Sequence, residues 1–289
     1  MCSNKLDIKN LDYDWLKMTI EGFGSEGIIF DNEAQFQFKL ALKIKEAFDC
    51  EIKLEKNTLT TKLKSTGKKK KFYSDIYVSA KDLNRIVIIE LKYKTAEYKN
   101  GDIFLFDQGA PDLGRFDYIW DIHRLEWLVY HGKGIQNLIN DENSIINKAN
   151  ECRYEKNRLN EIEEDTDFRY DNKYQNKEIV GYAIMLTNEK TYWIKNKERN
   201  TCQYHDFCIG ENDKSHVDNL TGTSEMDWVK NEKNLYSDSL IGSWRGRPID
   251  LIGQYSYNWQ KYKDFDNENG LFKFCIAEVL NKNNCKQKE

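Results

Sequence analysis

Apolar positions along the chain recur with a small number of periods. Over residues 31–48, DNEAQFQFKLALKIKEAF, they fall at Phe36, Leu40, Ile44 and Ala47/Phe48, with Ala41 beside them. That spacing predicts an amphipathic helix capped by Asp31 or Asn32. Residues 50–55 and 58–64 alternate apolar and charged positions, as a half-exposed strand or hairpin does, and Ser65-Thr66-Gly67 followed by Lys68 to Lys71 reads as the turn. Phe72–Val78 predicts a second strand and Arg85–Lys92 a third. In the third, Ile86 and Ile88 on one face and Val87, Ile89 and Leu91 on the other are all apolar, so it is covered on both sides and central.

Beyond the loop GAPDLG at 109–114, the segment RFDYIWDIHRLEWLVYHG predicts a strong helix ended by Gly132. Residues 135–176 are polar and charged, read as a helical insertion or outer layer, and Val180–Leu186 predicts another buried strand. The stretch 195–234 is loop-rich, and the C-terminal part carries a Tyr/Trp-rich segment at 255–262 and a last apolar run, LFKFCIAEVL. This order of elements predicts an α/β class with a mixed central sheet flanked by helices. The organisation expected is an N-terminal extension over 1–30, a core over 31–190 containing the insertion, and a C-terminal elaboration over 191–289 on the same domain.

Composition narrows the classes. The 289 residues are 39 % hydrophobic and 13 % aromatic, enough for a real core and against disorder throughout. No apolar run approaches the ~18 residues of a membrane-spanning helix, and MCSNKLDIKN lacks a signal-peptide apolar segment, so the expectation is no membrane and a cytoplasmic location. Seven scattered cysteines without a CxxC pair suit reduced thiols there. The net charge is −4, yet residues 39–71 hold eleven lysines against four acids, a local balance of +7. That block, including Lys68, Lys69 and Lys70, fits either a polyanion-binding face or solvated surface charge.

The chemistry-bearing pattern is Asp75 on one strand, then Glu90-Leu91-Lys92 fifteen residues later, where a buried strand turns polar. Residues two apart in a strand share a face at ~6.6–7 Å, so Glu90 and Lys92 project together, and a hairpin brings Asp75 to Glu90. Two close carboxylates do not both stay ionised without a cation, and oxygen ligands suit Mg²⁺. Glu51-Ile52-Lys53 and Glu97-Tyr98-Lys99 share the Glu-x-Lys spacing but not the buried run or the upstream acid. The plain alternative at 90/92 is a buried Glu–Lys ion pair.

This arrangement resembles the PD-(D/E)xK nuclease superfamily, with its restriction-endonuclease-like fold. The matching segments are NEAQFQFKLAL, YSDIYV, IVIIELK and the helix from Arg115, over roughly residues 31–131, with the strand at 180–186 as a further core member. Ser74 stands where the family name has proline, which is often absent in the superfamily. The resemblance implies that Asp75 and Glu90 bind Mg²⁺, or Mn²⁺ in its place, with the carbonyl of Leu91. It implies that Lys92 positions and activates the attacking water and that Glu33 is an auxiliary acid touching metal or its water. Gln37 would hold that acid or contact a phosphate. DNA is the implied partner, with RNA possible and a homodimer or partner subunit of a defence system as a further expectation. The competing readings are a catalytically silent nucleic-acid-binding or assembly subunit and an RNA-cleaving nuclease.

Further candidates surround this pattern. Arg115 and Arg124 on the following helix can contact phosphates or lie exposed, and Gln108 before it can line the site. His123 and His131 can carry protons or be structural. Cys202, His205, Cys208 and His216 have a spacing that fits no standard zinc pattern well. Trp259–Tyr262 and Trp244 with Arg245 and Arg247 can stack bases or belong to the core.

Overall fold

The structure is a computed structural model that describes residues 5–62, 69–80, 84–109, 111–131, 177–194, 209–211, 214–215, 251, 253 and 255–280. Helix α1 spans Tyr13–Ser25 and α2 spans Glu33–Ala47. Asp12 caps the first by accepting from Trp15 N, and Asn32 caps the second by accepting from Gln35 N, each at 2.9 Å. Strands β1 (Cys50–Lys62), β2 (Lys69–Ala80) and β3 (Arg85–Lys94) follow, then the hairpin β4 (Tyr98–Asn100) and β5 (Ile103–Leu105). Helix α3 covers Pro111–His131, and β6 covers Glu178–Thr187. A two-stranded pair, β7 (Lys214–Ser215) and β8 (Tyr255–Ser256), precedes β9 (Gln260–Asp264) and β10 (Leu271–Val279).

The main sheet has the order β1-β2-β3-β6-β10-β9. Every pair in it is antiparallel except β3 with β6, which run parallel. The class is thus α/β, a mixed six-stranded sheet with three α-helices among the described residues. No helix among those residues is long and apolar enough to cross a membrane.

Two apolar layers enclose the sheet. Leu16, Ile20 and Phe23 of α1 and Phe36, Leu40 and Ile44 of α2 pack on Ile76, Val78, Val87, Ile89 and Leu91. The other face carries Tyr77, Ile86, Ile88, Ala183 and Met185 under Tyr118, Ile119, Ile122 and Leu125 of α3. The central, doubly covered β3 read from its sequence is present, because each face of the strand meets its own helical layer. Its parity also puts Glu90 and Lys92, and Asp75 on β2, on the face that α3 covers.

Other expectations change in detail. Residues 50–62 form one strand paired antiparallel with β2, and Lys69 to Lys71, expected in the turn, already belong to that ladder, while a register shift between Asn57 and Leu59 breaks the alternation. The segment assigned to an N-terminal extension contributes α1 to the same core, and the last apolar run is β10, paired with β6 over Lys273–Val279. Trp259 and Tyr262 are core aromatics, not a base-stacking surface: Trp259 Nε1 donates to Ile209 O at 2.5 Å and Tyr262 OH to Ile28 O at 2.6 Å. The insertion at 135–176, the cysteine–histidine cluster at 202–216 and Trp244, Arg245 and Arg247 lie outside the described residues, apart from Ile209–Glu211 and the strand Lys214–Ser215 within that span.

Candidate active site

The β2–β3 ladder ends at Ile76 opposite Ile89, one step before Asp75 and Glu90. Where the ladder stops, Asp75 Oδ2 takes the N–H of Leu91 at 2.5 Å, so the acid closes the hairpin that the backbone leaves open. From the opposite layer, Glu33 in the first turn of α2 accepts from Tyr93 N at 2.8 Å. Gln37, one turn on, is buried and donates from Nε2 to the Asp75 carbonyl and to Glu55 Oε1, both at 2.8 Å. Helix α2 therefore tethers both strands that carry the cluster.

Helix α3 supplies the rest. Asp121 and Arg124, one turn apart, lie over the strand end. Lys92 Nζ meets Asp121 Oδ2 at 2.5 Å, and Arg124 Nη2 bridges Glu90 Oε2 at 2.8 Å and Asp121 Oδ1 at 2.7 Å. The Glu90–Lys92 ion pair considered from the sequence is replaced by two pairs to α3. Glu90 is 2 % exposed and Asp121 is 4 % exposed, while Asp75, Lys92 and Arg124 are half-buried, so the deepest acids are dry and the rest of the network reaches toward solvent. Four carboxylates, Glu33, Asp75, Glu90 and Asp121, thus face two cations, Lys92 and Arg124.

Ionisation reflects that imbalance. Burial pushes the Asp75 carboxyl up to about 7; Lys92 and the Leu91 N–H pull against this, while Asp121 and Glu33 add to it. Burial likewise raises Glu90 well above the usual carboxylate range, opposed by Arg124 and reinforced by Asp121 and Asp75. For Lys92, burial favours the neutral amine, but Asp121, Glu33 and Asp75 outweigh it and hold the ammonium charged. Burial opposes the Arg124 charge too, and Asp121, Glu90 and Asp75 sustain it.

Among the described residues, no hydrogen-bond donor reaches Asp75 Oδ1 or Glu90 Oε1. No three His, Cys, Asp or Glu side chains among those residues converge tightly enough to cage a metal ion by themselves. Mg²⁺ does not need such a cage, since it keeps several waters and binds through one or two carboxylates plus substrate phosphates. Two buried acids with one open oxygen each, in a cluster short of positive charge, fit such an ion.

Other expected site residues sit elsewhere. Arg115 is 4 % exposed and donates to Thr191 O at 2.9 Å, so it is turned into the interior rather than toward a nucleic-acid face. The C-terminal segment covers that side of α3, anchored by Glu126 accepting from Gly253 N and Tyr255 OH at 2.6 Å each. His123 is buried against Trp120. The Leu91 carbonyl accepts from Lys92 Nζ at 3.1 Å. Gln108 is exposed, its N–H bonded to Thr95 O at 2.9 Å. Lys69 and Lys70 pair in the β1–β2 ladder by backbone, while Lys68 and the side chains of all three, like that of His131, lie outside the described residues. Glu51 and Lys53 form an exposed 3.1 Å pair on the edge strand, far from the burial that distinguishes 90/92.

Asp121 is the site residue that the sequence reading missed. Its signal in the sequence was the spacing three residues before Arg124, which exposed helix pairs share, so its burial follows only from the seat of α3 on the sheet. Comparison with protein-family models, curated proteins and solved structures finds no match to the chain.

Proposed function

We propose that the chain is a metal-dependent nuclease of the PD-(D/E)xK kind, with a restriction-endonuclease-like core, that hydrolyses phosphodiester bonds in DNA. The observation that carries this reading is the meeting of Asp75 and Glu90 at the end of β3, each with an open carboxylate oxygen, beside the ammonium of Lys92. When bound there, Mg²⁺ would supply charge stabilisation on phosphate oxygens and acidify a water. The chain's own residues would do the rest. Asp75 and Glu90 would hold the ion, and Arg124 would fix the Glu90 carboxylate in one orientation. Lys92, held charged by Asp121, would orient the attacking water and offset charge as a donor, not take its proton. Glu33 would lie at the margin, where a small shift from Tyr93 N frees an oxygen for metal-bound water.

One observation favours a second reading, a catalytically silent nucleic-acid-binding or assembly subunit. The ion pairs of Lys92 and Arg124 give the cluster a closed network of its own, without a third acid converging for a metal.

Incubation of the full chain with supercoiled and linear duplex DNA, single-stranded DNA and RNA, in Mg²⁺, Mn²⁺ or EDTA, separates the two. The nuclease reading expects cleavage of DNA in either metal and none in EDTA. Binding with no cleavage in any condition would favour the silent subunit.

A further inference from the structure

Phe104 is 45 % exposed and Phe106 is 72 % exposed, and their rings meet edge to face with centroids 4.6 Å apart. Scattered exposed apolar residues need no explanation, but two phenylalanines side by side on one short hairpin do. Between them Leu105 turns inward into the layer of α1 and α2, as does Tyr98 on β4. The hairpin is thus anchored by one face and presents the rings with the other. Lys99 stands directly opposite Phe104 in the β4–β5 register, and no described residue partners its ammonium. Asp107, next to Phe106, is turned to the N–H of Gly109 at 2.7 Å.

The rings are coupled to the site by backbone. Thr95 Oγ1 donates to Phe106 O at 2.7 Å, and Gln108 N donates to Thr95 O at 2.9 Å. Thr95 is three residues beyond Lys92, on the order of 10 Å along an extended chain, a span of about three nucleotide rises. Lys94 lies within that gap on the same strand face as Glu90 and Lys92, and Lys94 and Lys99 are the cations of a segment whose exposed acids are Glu97, Asp102 and Asp107.

We propose that the β4–β5 hairpin is a stacking platform, on which Phe104 and Phe106 hold unpaired bases of the nucleic-acid strand whose backbone runs past Lys94 into the Asp75/Glu90/Lys92 cluster. The proposal rests on the nuclease reading for the direction of that strand. Aromatic faces take any base, and the flanking Lys94 and Lys99 take its phosphates, which is the chemistry of single-strand recognition.

The test compares binding of labelled oligothymidylate and an abasic strand of equal length to the full chain in EDTA, by fluorescence anisotropy. The wild type is expected to bind the base-bearing strand at least about tenfold more tightly. Phe104→Ala/Phe106→Ala should erase that preference while leaving abasic binding unchanged, and Phe104→Tyr/Phe106→Tyr should retain it. Equal affinity of the wild type for the two strands would overturn the platform, as would a preference that survives the double alanine change. A loss of self-association in the double variant, with no base preference in the wild type, would overturn it in favour of a contact between copies. Metal-dependent cleavage read in parallel keeps the two ideas apart: cleavage without base preference defeats the platform alone, and base preference without cleavage defeats the nuclease alone.

Discussion

The Asp75 carboxyl carries a proton over a range where an ordinary aspartate has lost it, and this ties the site to stability. Unfolded, the group ionises near 3.8; folded, it ionises at about 7. Between those values the native state holds a proton that the unfolded state does not, so stability falls as pH rises from about 4 to about 7 and stays low above. The Asp75 share reaches up to about 4 kcal/mol, and Glu90 acts in the same direction. Urea unfolding in EDTA at pH 5 and pH 8 should therefore show the wild type weaker at pH 8. Mg²⁺ should restore stability at pH 8 by favouring the ionised acids, and Asp75→Asn should reduce the difference between the two pH values. Identical pH dependence in the wild type and Asp75→Asn would contradict this placement of the charge.

Among the elements, α3 decides whether the cluster assembles, and its seat on the sheet depends on one missing side chain. Gly181 of β6 lies under Leu125, and a Cβ there would stand 3.0 Å from that residue's own Cβ. Leu125 is adjacent to Arg124, so lifting α3 from the sheet pulls Arg124 and Asp121 from Glu90 and Lys92. Gly181→Val should cost about 1–3 kcal/mol and lower the melting temperature by roughly 3–10 °C, read by circular dichroism. An unchanged melting temperature would show that the layer has slack the packing does not suggest. Strand β3 and helix α2 were legible because their patterns are local: two apolar faces in one case, a period of three to four with an asparagine cap in the other. Helix α1 was not, for its last turns carry Gly22 and Gly24, poor helix formers. Gly24 is there because a Cβ would collide with the Tyr262 carbonyl of β9, a contact between residues more than two hundred positions apart. The long β1 was blurred for a similar reason. Its irregularity after Asn57, with Glu55 at φ 46°, shifts the alternation out of phase.

At the scale of the whole molecule, the site is a product of topology. A strand meander brings Asp75 to Glu90, a helix from one layer brings Glu33 and Gln37, and a helix from the other brings Asp121 and Arg124. Spacing alone made Asp75, Glu90 and Lys92 legible, because a hairpin fixes their neighbourhood. The partners on α3 required knowing which helix covers which face, and Arg115 required knowing that the turn after β6 brings the Thr191 carbonyl to the helix. The most direct test of the account is single-turnover cleavage of a labelled DNA duplex in Mg²⁺ by the wild type, Asp75→Asn and Glu90→Gln. The wild type is expected to cleave, with activity lost in EDTA, and each variant to fall at least about a hundredfold with an unchanged circular dichroism spectrum. Cleavage at the wild-type rate by folded Asp75→Asn and Glu90→Gln would contradict it.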